Sequence, residues 1–301
     1  MNIINNFSTD LAKKIFGNKF NAEKFLLELQ KKKQFDLPLK KIKKGINNGN
    51  IVILLETNQL WAKIVEFWDF ENGKLIVRDL FSKTLKYKSG QDSYLIMQVL
   101  LEEWHKLGLE NISWPFSQGD FDGFVQRINA ENCDGYQKDE KVKNAAVKYR
   151  RIKEINTVRN DFIETLIFEK NKNILPTLNH RRGVDFFING ISFDQKVAKS
   201  PTNEFKKDFG NNWKSYAVSN PNKVAEYLYK YQDEGRFGAD NRLLVVYLDE
   251  DVSIERIDYI IEKTDLEKPL EINFEYIHNK GKPTEKIKTY KVNCFIILLQ
   301  N

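Results

Sequence analysis

The chain has 301 residues, 41% of them hydrophobic and 30% charged, which is enough for one large core or for a core with a substantial subdomain. No apolar run is longer than about five residues, Ile51-Val52-Ile53-Leu54-Leu55 being one, against the roughly 20 that a membrane helix needs. Two cysteines, Cys133 and Cys294, exclude a disulfide-stapled scaffold. The net charge of +6, from 48 Lys+Arg against 42 Asp+Glu, is a mild surplus that does not by itself indicate nucleic acid. With Met1-Asn2-Ile3-Ile4-Asn5-Asn6 lacking a secretory pattern, a soluble cytoplasmic protein without a membrane partner is expected.

The N-terminal stretch is locally basic. Residues 1–45 hold eleven lysines against Asp10, Glu23, Glu28 and Asp36, with a cluster at Lys40, Lys41, Lys43 and Lys44 that reads as a phosphate-attracting surface or a solvated face. Leu11, Ile15, Phe20, Phe25, Leu26 and Leu29 recur at helical spacing, predicting one or two amphipathic helices over 9–33. The runs 51–55, 62–70 and 74–80, the last two parted by Glu71-Asn72-Gly73, read as an antiparallel meander. A helix is expected over 93–106, then an irregular stretch to Gly135.

A composition shift near residue 136 suggests two parts: an N-terminal α+β subdomain (1–140) and an α/β domain (141–301). Residues 140–170, free of Pro and Gly, predict a long helix that ends before Pro176. Beyond it come a polar linker from Ser200, a helix over 221–231, an apolar strand over 243–248, a helix over 253–263, and a closing hairpin of 270–278 with 289–299.

The chemistry concentrates in residues 183–197. Asn189-Gly190 between two alternating apolar runs predicts a two-residue turn with positive φ at both positions, which sets Ile188 against Ile191 and Asp185 opposite Asp194. Val184, Phe186, Ile188, Ile191, Phe193 and Val197 then share one face, and Asp185, Asp194 and Lys196 the other. Directly opposed like charges destabilise a sheet by up to about 1 kcal/mol, a penalty that a divalent cation between them reverses. Otherwise this is a surface hairpin with an ordinary Asp–Lys pair.

Asp185 followed by Asp194-Gln195-Lys196 on a hairpin, after a long helix carrying an acid, resembles the PD-(D/E)XK nuclease superfamily, and within it the type II restriction endonucleases. The likeness covers about residues 145–250, with Val184 where the name-giving Pro would stand. It implies a restriction-endonuclease-like core, a central mixed sheet flanked by helices in the order αβββαβ. It also implies Mg²⁺ held by Asp185, Asp194 and the main-chain carbonyl of Gln195, with Lys196 catalytic. The acid that the family places on the preceding helix would be Glu164, or Asp161 one turn earlier.

The activity implied is site-specific hydrolysis of double-stranded DNA to 5′-phosphates, with a homodimer as one option. The alternatives are a structure-specific or repair nuclease and a catalytically silent DNA-binding protein. Lys199, Lys206, Lys207 and Lys214 supply positive charge after the hairpin, and Gln232, Arg236 and Asn241 are residue types that read base edges. The N-terminal lysines would add phosphate contacts. His105, His180 and His278 are scattered, and no zinc, dinucleotide, P-loop or serine-hydrolase motif occurs.

Overall fold

The computed structural model describes residues 7–33, 35–44, 47–88, 95–99, 102, 118–179, 183–232, 237–249 and 252–301. The chain divides into two compact units, one formed by Met1–Thr84 with Ile167–Asn301 and the other by Leu85–Leu166. Helix α5 (Gln118–Ala130) stands where an irregular stretch is expected, and helix α6 (Gly135–Lys170) crosses the division, with residue 140 within it.

The expected N-terminal helices form as α1 (Thr9–Phe16) and α2 (Lys19–Lys32). Ser8 and Asn18 accept hydrogen bonds at their first turns, and Ile15, Phe16, Phe25, Leu26 and Leu29 are buried. The expected meander does not form. Strand β2 (Asn47–Ile53) pairs antiparallel with β1 (Leu39–Lys44), but 57–67 and 70–82 are helices α3 (Thr57–Phe67) and α4 (Phe70–Ser82).

The apolar runs misled because a short buried helix stripe and a strand look alike over seven residues. Leu60, Trp61 and Ile64 bury one stripe of α3, and Ile76, Val77 and Phe81 one stripe of α4. Glu71-Asn72-Gly73 is no turn between strands. Asp69 caps the backbone N–H groups of Glu71 and Asn72 there, and Gly73 lets the Trp68 indole approach to 2.8 Å of where a Cβ would stand.

The larger sheet has six strands in the order β3-β4-β5-β6-β8-β7: β3 (Ile174–Pro176), β4 (Phe186–Ile188), β5 (Ile191–Ala198), β6 (Arg242–Tyr247), β7 (Leu270–His278) and β8 (Lys286–Leu299). β4 runs antiparallel to both β3 and β5, β5 runs parallel to β6 and β6 to β8, and β7 closes the edge antiparallel to β8. The sheet is therefore mixed, with helices packed against it: an α/β architecture. No helix among the described residues is long and apolar enough to cross a membrane.

Residues 200–219, expected as a polar linker, instead form α7 (Asn203–Phe209), a 3₁₀ turn and α8 (Trp213–Ser219), followed by α9 (Pro221–Lys230) with its proline in the first turn. Phe205, Ala217, Val224, Ala225 and Tyr229 from these helices pack on Leu244, Val246, Ile272, Phe274 and Cys294 of the sheet. Helix α10 (Ile254–Lys263), capped by Ser253, packs along β8. Leu178 N–H donates to the Ile15 carbonyl at 2.7 Å, and Asn21 Nδ2 donates to the Leu178 carbonyl at 3.0 Å, joining the first helices to the sheet-bearing segment. Arg78 on α4 does the same at the end of α6. Its guanidinium lies 4.0 Å over the Phe168 ring and donates to the Phe168 carbonyl, one that the helix end leaves open, and to the Ile174 carbonyl of β3.

Candidate active site

The β4–β5 turn is the one the sequence predicts. Asn189 has φ 50° and Gly190 φ 81°, and Phe186, Phe187 and Ile188 pair with Phe193, Ser192 and Ile191. The ladder loosens one step beyond Phe186, where Asp185 N–H donates to the Phe193 carbonyl at 2.9 Å. The Asp185 carboxylate then accepts from Gln195 N–H at 2.8 Å, a bond that backbone would supply in a continuing ladder. In a strand the N–H and C=O of one residue point to the same side, so the Gln195 carbonyl is also directed toward the Asp185 strand.

Asp194 N–H turns the other way and donates to the Asn241 carbonyl at 3.0 Å, at the mouth of β6. Its carboxylate accepts from Lys196 Nζ at 2.7 Å, and the two side chains are 14% and 53% exposed. Asp185, Asp194, Gln195 and Lys196 are thus brought together midway along β5, where its ladder with β4 ends. Asp185 and Asp194 are half-buried while Lys196 is exposed. The separation of faces is only partly the one expected. Phe187, which alternates onto the face of Asp185, is buried, so β4 is covered on both sides.

The parallel register sets Asp194 beside Arg242, and Arg242 beside Cys294, on the sheet face that α7, α8 and α9 cover. Arg242 is 9% exposed, with its guanidinium 4.7 Å over the Tyr229 ring. The Tyr229 hydroxyl donates to the Asp240 carbonyl, and burial holds its ionisation far above the usual phenol range, with the Asp194 charge pushing the same way and the Arg242 charge opposing. Burial likewise pushes the Cys294 thiol up to about 12, so it stays a neutral packing group. The sequence reading missed Arg242. The available signal was an arginine opening the fully apolar run Leu243-Leu244-Val245-Val246, a placement that requires an internal partner.

That partner is Gln232. Its amide donates to the carbonyls of Tyr229 (2.8 Å) and Gly238 (3.2 Å) and accepts from Gly238 N–H (3.1 Å) and Arg242 Nη2 (2.9 Å). Every hydrogen-bonding position of the amide is filled from within the protein, leaving none for a base edge. Asn241 is similarly engaged, accepting from Asn293 N–H at 2.9 Å and donating to the Ser192 carbonyl at 3.4 Å. Both residues tie strands and loop together beside the carboxylates.

Lys199 lies half-buried just past β5, and Lys207 is exposed on α7. Lys206 sits 5.0 Å over the Trp213 ring, and Lys214 is ion-paired to Asp249. Arg236 and His180 fall outside the described residues. So do the side chains of Lys40, Lys41, Lys43 and Lys44, whose backbone belongs to β1.

Glu164 belongs to the other unit. Its side chain is 5% exposed and held by Lys86 Nζ at 2.6 Å, while the neighbouring Thr165 hydroxyl accepts from Lys88 N–H and donates to the Asp161 carbonyl.

The chain matches no protein-family model, no curated protein and no solved structure. Its chemistry must be argued from its own residues. Among the described residues, no three His, Cys, Asp or Glu side chains gather into a metal-binding group. The point where the β4–β5 ladder ends offers the carboxylates of Asp185 and Asp194 with a main-chain carbonyl. That donor set suits magnesium, which binds through one or two carboxylates and completes its shell with water and phosphate oxygens. The Asp194 side of the set is open to exchange, because Lys196, which pairs with it, is a flexible and exposed ammonium that can swing away.

Proposed function

We propose that this chain is a Mg²⁺-dependent endonuclease acting on double-stranded DNA, with a restriction-endonuclease-like core. The observation that carries the reading is the gathering of Asp185, Asp194 and Lys196 where the β4–β5 ladder ends, with the Asp194–Lys196 contact at 2.7 Å and Asp185 on Gln195 N–H at 2.8 Å. The element order supports it: α6, the antiparallel run β3-β4-β5, the helices α7 to α9, then β6 parallel to β5, which is the αβββαβ order of the family it resembles.

Asp185, Asp194 and the Gln195 carbonyl would hold the magnesium ion, which when bound polarises a phosphate oxygen and acidifies a water. The protein's own share is geometric and electrostatic. The two-residue turn fixes the register as far as Phe186 and Phe193, and beyond it Gln195 N–H holds one oxygen of Asp185 in place of the expected Asp185–Asp194 pairing. Lys196, released from Asp194, carries a positive charge to the place where a phosphodiester gains negative charge during attack by water, and can orient that water. Hydrolysis consumes one water, breaks the P–O3′ bond, and leaves a 5′-phosphate and a 3′-hydroxyl.

The test is digestion of supercoiled plasmid with the purified protein, with Mg²⁺ and with EDTA, followed by sequencing of the ends. Discrete fragments with 5′-phosphates, lost in EDTA and in Asp194→Ala, are expected. A plasmid left intact across Mg²⁺ and Mn²⁺ concentrations by protein that is folded and binds duplex would make it a silent DNA-binding protein. Cuts only at junctions or mismatches would make it structure-specific.

A further inference from the structure

The β7–β8 hairpin outruns the helices that cover the rest of its face. Residues 280–289 are all exposed, and Ile287 is 61% exposed. The tip is nevertheless ordered by its own bonds: Asn279 and Gly281 take positive φ, Lys282 N–H donates to the Asn279 carbonyl, Glu285 N–H to the Lys282 carbonyl, and the Glu285 carboxylate accepts from Gly281 N–H at 2.6 Å. Glu285 is thereby committed to the turn. Lys291, lower on the strand, is paired with Glu271 at 3.0 Å. Among the described residues, no carboxylate lies within ion-pairing distance of Lys280, Lys282, Lys286 or Lys288. Lys280, Lys282, Lys286 and Lys288 outnumber Glu285, the carboxylate of the tip, so the ribbon keeps a positive surplus that an anionic partner would offset.

Where the ribbon points identifies the partner. Lys286 and Lys288 face His278 and Tyr276 across the ladder, and their alternation along β8 puts them on the face of Cys294, Arg242 and Asp194. Lys288 is six residues before Cys294, which stands level with Asp194 two strands away. At about 3.3–3.4 Å per residue the lysine rises roughly 20 Å beyond the carboxylates along the strands. In B-form DNA that length is about six base pairs at 3.4 Å each. A two-stranded ribbon is also one of the elements that the major groove admits.

We infer that the β7–β8 ribbon is a DNA-docking arm lying along the major groove, with Lys280, Lys282, Lys286 and Lys288 on backbone phosphates about six base pairs from the bond that is cut. The distance to the cut bond and the choice of duplex DNA as the partner rest on the nuclease reading above; the positive surplus of the ribbon does not.

The test measures affinity for a fluorescent 30-base-pair duplex across a salt series, without divalent metal. It uses the full-length protein, the variant K280Q/K282Q/K286Q/K288Q and the corresponding fourfold Lys→Arg variant. Each phosphate contact contributes about −0.9 to the slope of log K against log salt, so the Gln variant should lose about 3.6 of slope and bind at least about tenfold more weakly at 0.1 M salt, while the Arg variant keeps both. Unchanged slope and affinity in the Gln variant would overturn the arm.

Should the Gln variant fail to fold by circular dichroism, acetylation of the unmodified protein decides. Duplex should slow labelling of these four lysines severalfold, and equal labelling with and without duplex would refute docking. Plasmid cleavage by the unmodified protein separates the two readings. Cleavage with an unchanged slope removes the arm and keeps the nuclease; slope loss without cleavage keeps the arm and removes the nuclease.

Discussion

Gln232→Met keeps the length of the side chain and removes all four hydrogen bonds of its amide, so it measures what that amide does. Three of the bonds join neutral groups, at about 1 kcal/mol net each, and the fourth comes from the Arg242 guanidinium, at about 1.5–3 kcal/mol. The sum overstates the loss. All four are only partly buried, the loop carbonyls can turn to water, and Arg242 keeps its bond to the Gly238 carbonyl at 3.2 Å. About half the sum, roughly 2–3 kcal/mol, is expected. For a large domain that lowers the thermal midpoint by about 4–12 °C. Urea unfolding followed by tryptophan fluorescence gives the free energy directly. The same variant should bind every duplex with unaltered base preference, because the amide has no free position for a base. A destabilisation under about 0.5 kcal/mol together with a relaxed base preference would refute this and make Gln232 a base reader.

Three further outcomes follow from other residues. Lys196→Met should lower the single-turnover cleavage rate by at least about a hundredfold with little change in DNA affinity, whereas a surface pair with Asp194 would be worth only about 0–1 kcal/mol and leave the rate within about threefold. Lys86→Met should destabilise the fold by about 3 kcal/mol by leaving Glu164 buried without its cation, and the double change with Glu164→Leu should recover most of that; equal unfolding midpoints for the native and Lys86→Met proteins would contradict it. Asp69 is held down to about 2, first by the Asn72 side chain and then by Lys33, against an ordinary 3.8, so its contribution is present above about pH 4 and lost as pH falls through about 2. The stability gap between the native protein and Asp69→Ala should therefore narrow over that window and stay constant above it.

Legibility in the sequence followed how local the determining physics was. Asn189-Gly190 specifies its turn within two residues, and the register of β4 and β5 followed from it; the caps and spacing of α1, α2, α9 and α10 are equally local. Helices α3 and α4 were misread because the side that Trp68 and Phe81 bury is decided by other elements, and seven apolar-rich residues suit either period. The linker from Ser200 hid two helices because Phe205, Tyr216 and Ala217 are too few, between lysines and asparagines, to show a stripe. At the site, Asp185, Asp194 and Lys196 were readable as a group, whereas the engagement of Gln232 and Asn241 was not, since their partners depend on the loop after α9 and on β8. The basic ribbon went unnoticed because its lysines are spaced two to four residues apart rather than run together.

The strand order has a consequence for synthesis. β8 lies between β6 and β7 yet is made after both. As the chain leaves the ribosome, β6 leaves the backbone groups of Leu244, Val246 and Leu248 unpaired along one edge, and β7 has no neighbouring strand, until Leu299 has emerged. At about 5–20 residues per second, the fifty or so residues between the ends of β6 and β8 take roughly 3–10 s. For that interval an apolar parallel edge is open to pairing with another nascent chain, a hazard that ends only when β8 slides into the gap. Slowing translation downstream of β6 should thus raise the insoluble fraction, and supplying β8 sooner, by circular permutation within an exposed loop, should lower it.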